Sequence, residues 1–392
     1  MGLKEKIISY RHEHFGGILM IEQPKALVYV DHECMRSLGL GEHPIWESNL
    51  MRLSGPTEAK LMLSDSSQSG CFFCLTDINN KKYCSETGYE EMKNIVQNLA
   101  RSKVFFVLIE GGDCLTLPWL FDLVRDIRSH RMLATLTTSG TYITPEIAKE
   151  CREFERIWLY LDVQNDQALP MRKRNDVIEA TNKAIKMLQV MKCQVGITFV
   201  VTRNNFHLMF SLAEFAFKTG VDQVELRRIK PSGRTKESYY SLCLTPEQSD
   251  ALLPSAYHAM STFGIKLKLD CSFGPMIFSH APNIDQMEIF DITGCIGGES
   301  SIGIWSNGEV RACNYLDIQG YDFKELQTWW NNPESFPIIR EWRLMAQPPC
   351  DICNYFTLCR GGCRSVSSFV LGDPEEPDPE CPIVHKYRSQ IF

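Results

Sequence analysis

The chain has 392 residues, enough for two or three domains with a substantial buried core, and its hydrophobic (44%) and charged (23%) fractions are those of an ordinary globular protein. A formal net charge of −7 leaves no basic field for nucleic acid. The longest apolar runs, such as 104–109, are too short to cross a bilayer, and the opening MGLKEK has neither a secretory signal's apolar stretch nor a myristoylation pattern, so a cytoplasmic chain acting away from membranes is expected.

In chain order, residues 1–58 form an N-terminal extension. Two β-rich pieces, 17–21 and 26–30, flank Gln23-Pro24, and a short helix is expected over 32–38. From 59 to 245, strand-like and helix-like stretches alternate, with strands predicted at 59–63, 104–109, 132–137, 157–161, 195–201 and 223–229. Thr87-Gly88-Tyr89-Glu90 reads as a capping box opening a helix with Met92, Ile95, Val96 and Leu99 on one face. Thr144-Pro145-Glu146 reads as an N-cap followed by proline in the first turn. Six strand–helix units in series predict an α/β fold with a parallel sheet, either open or curled into a partial (β/α)6 barrel. Its chemistry would lie at the C-terminal ends of the strands. After Gly233 the alternation fades while Pro, Gly and Cys become frequent. Residues 246–392 are read as a further domain held by metal rather than by a large core of its own.

The cysteines of that region carry the strongest signal. Seven lie in the last hundred residues: Cys295, Cys313, Cys350, Cys353, Cys359, Cys363 and Cys381. The central run, Cys350 to Cys363, is C-x2-C-x5-C-x3-C, and Gly308 stands five positions before Cys313. In a reducing compartment such a set points away from disulfides. Thiolates are soft ligands that favour iron–sulfur clusters, zinc or copper(I). Zinc ribbons stop at four thiolates, whereas seven suit two iron–sulfur clusters better. Cys34, Cys151, Cys193 and Cys243 stand apart and are read as small buried hydrophobes.

A second cysteine site follows the first predicted strand, where residues 63–74 read LSDSSQSGCFFC. Further along come Glu110-Gly111-Gly112-Asp113, Thr137-Thr138-Ser139-Gly140 and Asp162, each at the end of a predicted strand, then 200–204 and RIKPSGR at 228–234. In this order the segments resemble those of radical SAM proteins with a C-terminal SPASM domain, over about residues 59–392. That family places C-x3-C-x2-C after its first strand. Three thiolates there hold a 4Fe–4S cluster, and its open iron chelates S-adenosylmethionine, whose one-electron cleavage gives a hydrogen-abstracting 5′-deoxyadenosyl radical. The resemblance implies that Cys71 and Cys74 are cluster ligands and that Gly111, Gly112 and Asp113 line the methionine end of the pocket. It also implies that Ser139 and Asp162 approach the ribose or the substrate. The chain departs from the family at several positions. Ser67 stands in the first cysteine position and offers a hard oxygen where a soft donor is wanted. Asp113 is one methylene shorter than the family's glutamate, Cys114 stands where proline is common, and Val163 stands where glycine is usual. Cys84 is a substitute candidate for the third ligand.

Within the family the likeness is greatest to peptide maturases of the mycofactocin type, through RIKPSGR, Cys359-Arg360-Gly361-Gly362-Cys363 and Asp378-Pro379-Glu380-Cys381. It implies that Cys350, Cys353, Cys359 and Cys381 hold one auxiliary 4Fe–4S cluster. Cys295, Cys313 and Cys363 would hold another, with either an open iron or a fourth ligand for which Cys271 is a candidate. The implied partners are a ribosomally made precursor peptide and an electron donor such as a ferredoxin or flavodoxin. Residues 1–58 are either a reduced peptide-recognition fold or a simple hairpin. Arg227, Arg228 and Arg234 either meet a carboxylate of S-adenosylmethionine or peptide, or are solvated loop charge. The primary functional reading is a radical enzyme that modifies a peptide. The alternatives are a non-catalytic relative that binds peptide or carries electrons through two auxiliary clusters, and a zinc-stabilised α/β protein.

Overall fold

A computed structural model describes residues 6–64, 88–161, 171–341, 344 and 346–391. Strands β4 (Glu58–Met62), β5 (Phe106–Glu110), β6 (Leu133–Thr138), β7 (Arg156–Tyr160), β8 (Val195–Val201) and β9 (Gln223–Arg228) lie side by side in that order, all parallel. They are the six predicted strands, with ends shifted by two residues at most. Every second residue faces outward into one apolar core: Ala59 and Leu61, Val107 and Ile109, Ala134 and Leu136, Ile157 and Leu159 are all essentially inaccessible. Parallel neighbours require crossovers, and helices supply them. These are α2 (Tyr89–Arg101), α3 (Leu120–Ser129), α4 (Pro145–Glu150), α5 (Met171–Val190) and α6 (Met209–Thr219), which follow a short N-terminal α1 (His32–Ser37).

The predicted caps divide. Thr144 accepts from the Ile147 N–H, so α4 starts as expected. The N-cap of α2 is Gly88, with no side-chain cap; Thr87 lies outside the described residues, and the capping-box reading gives way there to Glu90 and Glu91 in the positively polarised first turn. Met92, Ile95, Val96 and Leu99 form the buried face of α2, as predicted.

The sheet curls into a partial barrel. Arg227 on β9 reaches Glu110 on β5 at 3.8 Å, although three strands separate them in the sheet, so the two strand ends face each other across a concave interior. The sheet also runs past both ends of the six-strand unit. After α7 (Tyr239–Leu242), α8 (Pro246–Phe263) begins with a Thr245/Gln248 capping box, and β10 (Lys266–Leu269) adds in parallel to β9. At the opposite edge β11 (Ser301–Ile304) pairs in parallel with β4, followed by antiparallel β12 (Glu309–Arg311) and β13 (Tyr321–Asp322). The cysteine-rich region is thus built onto both edges of the sheet.

The N-terminal residues form a separate antiparallel sheet, β1 (Ile7–Glu13), β2 (Gly16–Glu22) and β3 (Lys25–Asp31). β2 and β3 match the predicted pieces. β1 escaped notice because two of its buried residues are an ion pair, Arg11 and Glu13, 2.6 Å apart. Arg11 also donates to the carbonyls of Gly55 and Pro56, both at 2.8 Å, and Ile18 and Met20 pack on Phe105. These contacts precede β4 and β5, so the small sheet sits at the N-terminal ends of the barrel strands. Among the described residues no helix is long and apolar enough to cross a membrane.

Candidate functional site

At the C-terminal end of β5 the backbone turns sharply through Gly111 and Gly112, both at positive φ. A Cβ on Gly111 would lie 2.6 Å from the Ser64 carbonyl oxygen, so only glycine lets this turn lie against the segment leaving β4. The predicted Gly-Gly-Asp turn is therefore placed directly beside the start of the loop that carries Ser67, Cys71 and Cys74. Those three residues, Cys84, Asp162 and Val163 lie outside the described residues.

Asp113 is buried and links two strand ends. Its carboxylate accepts from the Leu115 N–H at 3.3 Å, from Thr138 Oγ1 at 3.0 and 3.2 Å, and from Ser139 Oγ at 2.6 Å. Three donors meet the carboxylate, the Thr138 hydroxyl lying within reach of both of its oxygens. The shorter side chain thus ties the Gly-Gly-Asp turn to the Thr-Thr-Ser-Gly turn and is not left open toward solvent. Cys114 is buried and donates to the Gly111 carbonyl at 3.0 Å. Burial, then the neighbouring Asp113 and Glu110, push its thiol well above the usual range, which keeps the proton it donates. It holds the turn from behind.

The concave face of the sheet is polar and charged. Arg227 pairs with Glu225 at 2.7 Å as well as with Glu110, and Lys230 lies 4.7 Å from the ring of Tyr315, which the C-terminal region contributes. Arg228 points elsewhere and is 1% exposed. It pairs with Asp378 at 2.7 Å and Glu380 at 2.9 Å and donates to the Ser272 carbonyl at 2.7 Å. Arg228 is therefore neither a free ligand for a substrate carboxylate nor a solvated loop charge; it clamps RIKPSGR to Asp-Pro-Glu-Cys. Asp378 also accepts from the Cys363 N–H at 2.9 Å, so the same clamp orients a predicted cluster ligand.

The tail cysteines fall into two groups. Cys350, Cys353, Cys359 and Cys381 line one cavity, with Pro275, Phe278, Tyr355, Phe356 and Val384 around them. The other group is Cys295, Cys313 and Cys363, which lie within electrostatic reach of one another, with Cys271 near Cys295. Burial pushes the thiols of Cys350 and Cys363 up to about 12 and that of Cys381 up to about 11. Bare thiolates are therefore disfavoured, and a bound cation is what would stabilise them. Among the described residues no three Cys, His, Asp or Glu side chains converge on one point closely enough for a single metal ion. Zinc needs its sulfur donors at about 2.3 Å from one centre. A cubane presents its irons at separate corners, so the four soft donors around the cavity suit a 4Fe–4S cluster. Of the four isolated cysteines, Cys151 is buried, as expected of a packing cysteine, whereas Cys34, Cys193 and Cys243 are only partly buried.

A curled parallel sheet with Gly-Gly-Asp and Thr-Thr-Ser-Gly turns at its strand ends, joined to a cysteine-rich C-terminal region, is the fold that the sequence resemblance implied. No family model matches the chain. It is 28% identical to the mycofactocin maturase MftC of Mycobacterium tuberculosis over 79% of each chain. It is 25% identical to the AdoMet-dependent heme synthase of Methanosarcina barkeri over 79% of this chain and 92% of that one. Among solved structures it is similar in fold to SuiB of Streptococcus suis at 16% identity. The TM-score is 0.74 to SuiB bound to S-adenosylmethionine, covering 97% of this chain and 100% of the other. It is 0.72 to SuiB bound to its precursor peptide SuiA, covering 95% and 98%.

Proposed function

We propose that this chain is a radical SAM enzyme that modifies a ribosomally made precursor peptide, drawing electrons from a ferredoxin or flavodoxin in the cytoplasm. The observation that carries this reading is the packing of the Gly111–Gly112 turn on Ser64, which brings the methionine-binding turn and the root of the cysteine loop together at the C-terminal ends of parallel strands. Relatives named for a peptide maturase and a fold shared with a peptide-bound SuiB support the substrate class.

Bound there, the cluster and S-adenosylmethionine would supply a 5′-deoxyadenosyl radical able to take a hydrogen atom from the peptide. Cys71 and Cys74 would hold that cluster. Asp113, locked by Thr138 and Ser139, would keep the Gly111 and Gly112 backbone in place against the methionine group. Ser139 and Asp162 would approach the ribose or the substrate. The charged concave face, with Arg227, Glu225 and Glu110, would receive a polar peptide segment and hold it while the radical acts.

The test is anaerobic reconstitution followed by dithionite and S-adenosylmethionine, with 5′-deoxyadenosine and methionine measured chromatographically. Formation of both by the natural sequence supports the reading. Iron bound at both auxiliary groups with no cleavage, in the natural chain and in Ser67→Cys alike, overturns it and leaves an electron carrier or peptide binder.

A further inference from the structure

β11 and β12 form the seam between the barrel and the C-terminal region, and burial shows how their residues face. Ile302, Ile304 and Val310 point into the apolar core outside the sheet. Alternate residues therefore turn to the concave side. Ser301 does so and donates to Glu58 of β4 at 2.9 Å. Gly303 follows two positions on, paired with Lys60 of β4 on one side and with Arg311 of β12 on the other.

A Cβ built on Gly303 would lie 1.7 Å from Asn314 Oδ1 and 2.4 Å from its Cγ. The chain leaving β12 thus folds back and lays the Asn314 carboxamide over β11, in concave-side space that any other residue at 303 would fill. Asn314 is 8% exposed, and neither Oδ1 nor Nδ2 has a hydrogen-bond partner among the described residues. Burying an amide with both ends unmet is costly, and an apolar side chain of similar volume would avoid the cost. The cations beside Gly303 in the register are already paired, Lys60 with Glu58 at 3.6 Å and Arg311 with Glu309 at 2.8 Å. What the place offers is one neutral donor and one neutral acceptor, side by side. An anion would use Nδ2 and be repelled by Oδ1, and a cation the reverse. In an extended peptide, the N–H and C=O of one residue point to the same side and answer both atoms at once.

We propose that Asn314 is a positioning residue for the main chain of the substrate. Nδ2 donates to the carbonyl, and Oδ1 accepts from the N–H, of one residue of an extended peptide laid along the concave side of β11. The contact is indifferent to side chains and fixes the register of the peptide. This inference rests on the reading that the chain modifies a peptide.

The test uses the full chain, reconstituted anaerobically and supplied with S-adenosylmethionine. The probes are two pools of short, capped, mixed-sequence peptides, one of them N-methylated at every peptide group. Equilibrium dialysis with mass-spectrometric detection gives the retention of each pool. The parent should retain the plain pool and prefer it to the methylated one. In Asn314→Leu, which removes donor and acceptor together, that preference should shrink roughly tenfold. In Asn314→Asp, which keeps an acceptor and loses the donor, the preference should persist while retention of both pools falls. An unchanged preference in Asn314→Leu overturns the proposal and leaves the peptide reading standing, as does an altered paramagnetic resonance signal of the inner cluster with peptide retention unmoved, which would assign the amide to the neighbouring Cys313. A parent that retains neither pool defeats both readings. If circular dichroism shows Asn314→Leu unfolded, Asn314→Asp decides, and retention equal to the parent's, or loss of the fold in both variants, overturns the proposal.

Discussion

The two cysteine groups of the C-terminal region have the same donor chemistry and opposite surroundings. One lies in an apolar cavity beside Pro275, Phe278 and Val384, with Ile352 between two of its cysteines 80% exposed to solvent. The other lies against the barrel, within electrostatic reach of Lys230, which packs on Tyr315 at the concave sheet, and of Arg228, which points away from that face. Charge, hydrogen bonds to sulfur and burial set a cluster's potential. Lys230 and Arg228 lie within electrostatic reach of Cys363 in the inner group, each paired with a carboxylate. Identical ligands thus meet different charge through what the fold places around them.

Three changes would break or sharpen this contrast. The largest effect is expected from Arg228→Met, which strands Asp378 and Glu380 and frees the Cys363 backbone contact. Breaking a buried pair of this kind costs about 3–5 kcal/mol. Urea unfolding followed by circular dichroism should show that loss, with both cysteine groups binding iron poorly, and an unchanged midpoint would show the clamp to be dispensable. Next is Thr138→Val, which removes a hydroxyl from the Asp113 carboxylate. A hydrogen bond to a charged group contributes about 1.5–3 kcal/mol, so S-adenosylmethionine should bind roughly tenfold or more weakly in anaerobic calorimetry while the auxiliary irons stay in place. Undiminished affinity would mean that Asp113 does not position the methionine turn. The smallest is Lys230→Met, which removes a cation near Cys271 and Cys363. The inner cluster's midpoint should fall by on the order of 60 mV, a tenfold shift for a one-electron couple, with the outer cluster unmoved in the same titration. Equal shifts in both would erase the contrast.

The parallel sheet was legible because its strands are short apolar runs bounded by glycine turns, and β8, buried at all seven positions, matched its predicted ends at both sides. The grouping of Cys350, Cys353, Cys359 and Cys381 followed from the family likeness and reappears as one cavity. What stayed hidden depends on distant partners. Arg228 and Asp378 are 150 residues apart, and no local pattern pairs them. β10 reads KLKL because two lysines lie on the polar side of the sheet, so neither its composition nor its length announced a strand. Asp113 looked like a shortened ligand; only Thr138 and Ser139, brought alongside by the next strand, show that its carboxylate is already occupied.

The pairing of β11 with β4 carries a consequence for how such a chain could evolve or be divided. Because a strand from beyond residue 300 is hydrogen-bonded to the first strand of the barrel, the tail is no detachable cassette. Cutting it away would bare the edge of β4 to strands of other molecules, an invitation to aggregate. The same seam holds the metal-binding region at a set distance from the barrel mouth, so traffic between them would proceed by tunnelling across a fixed gap and not by the swing of a tethered arm.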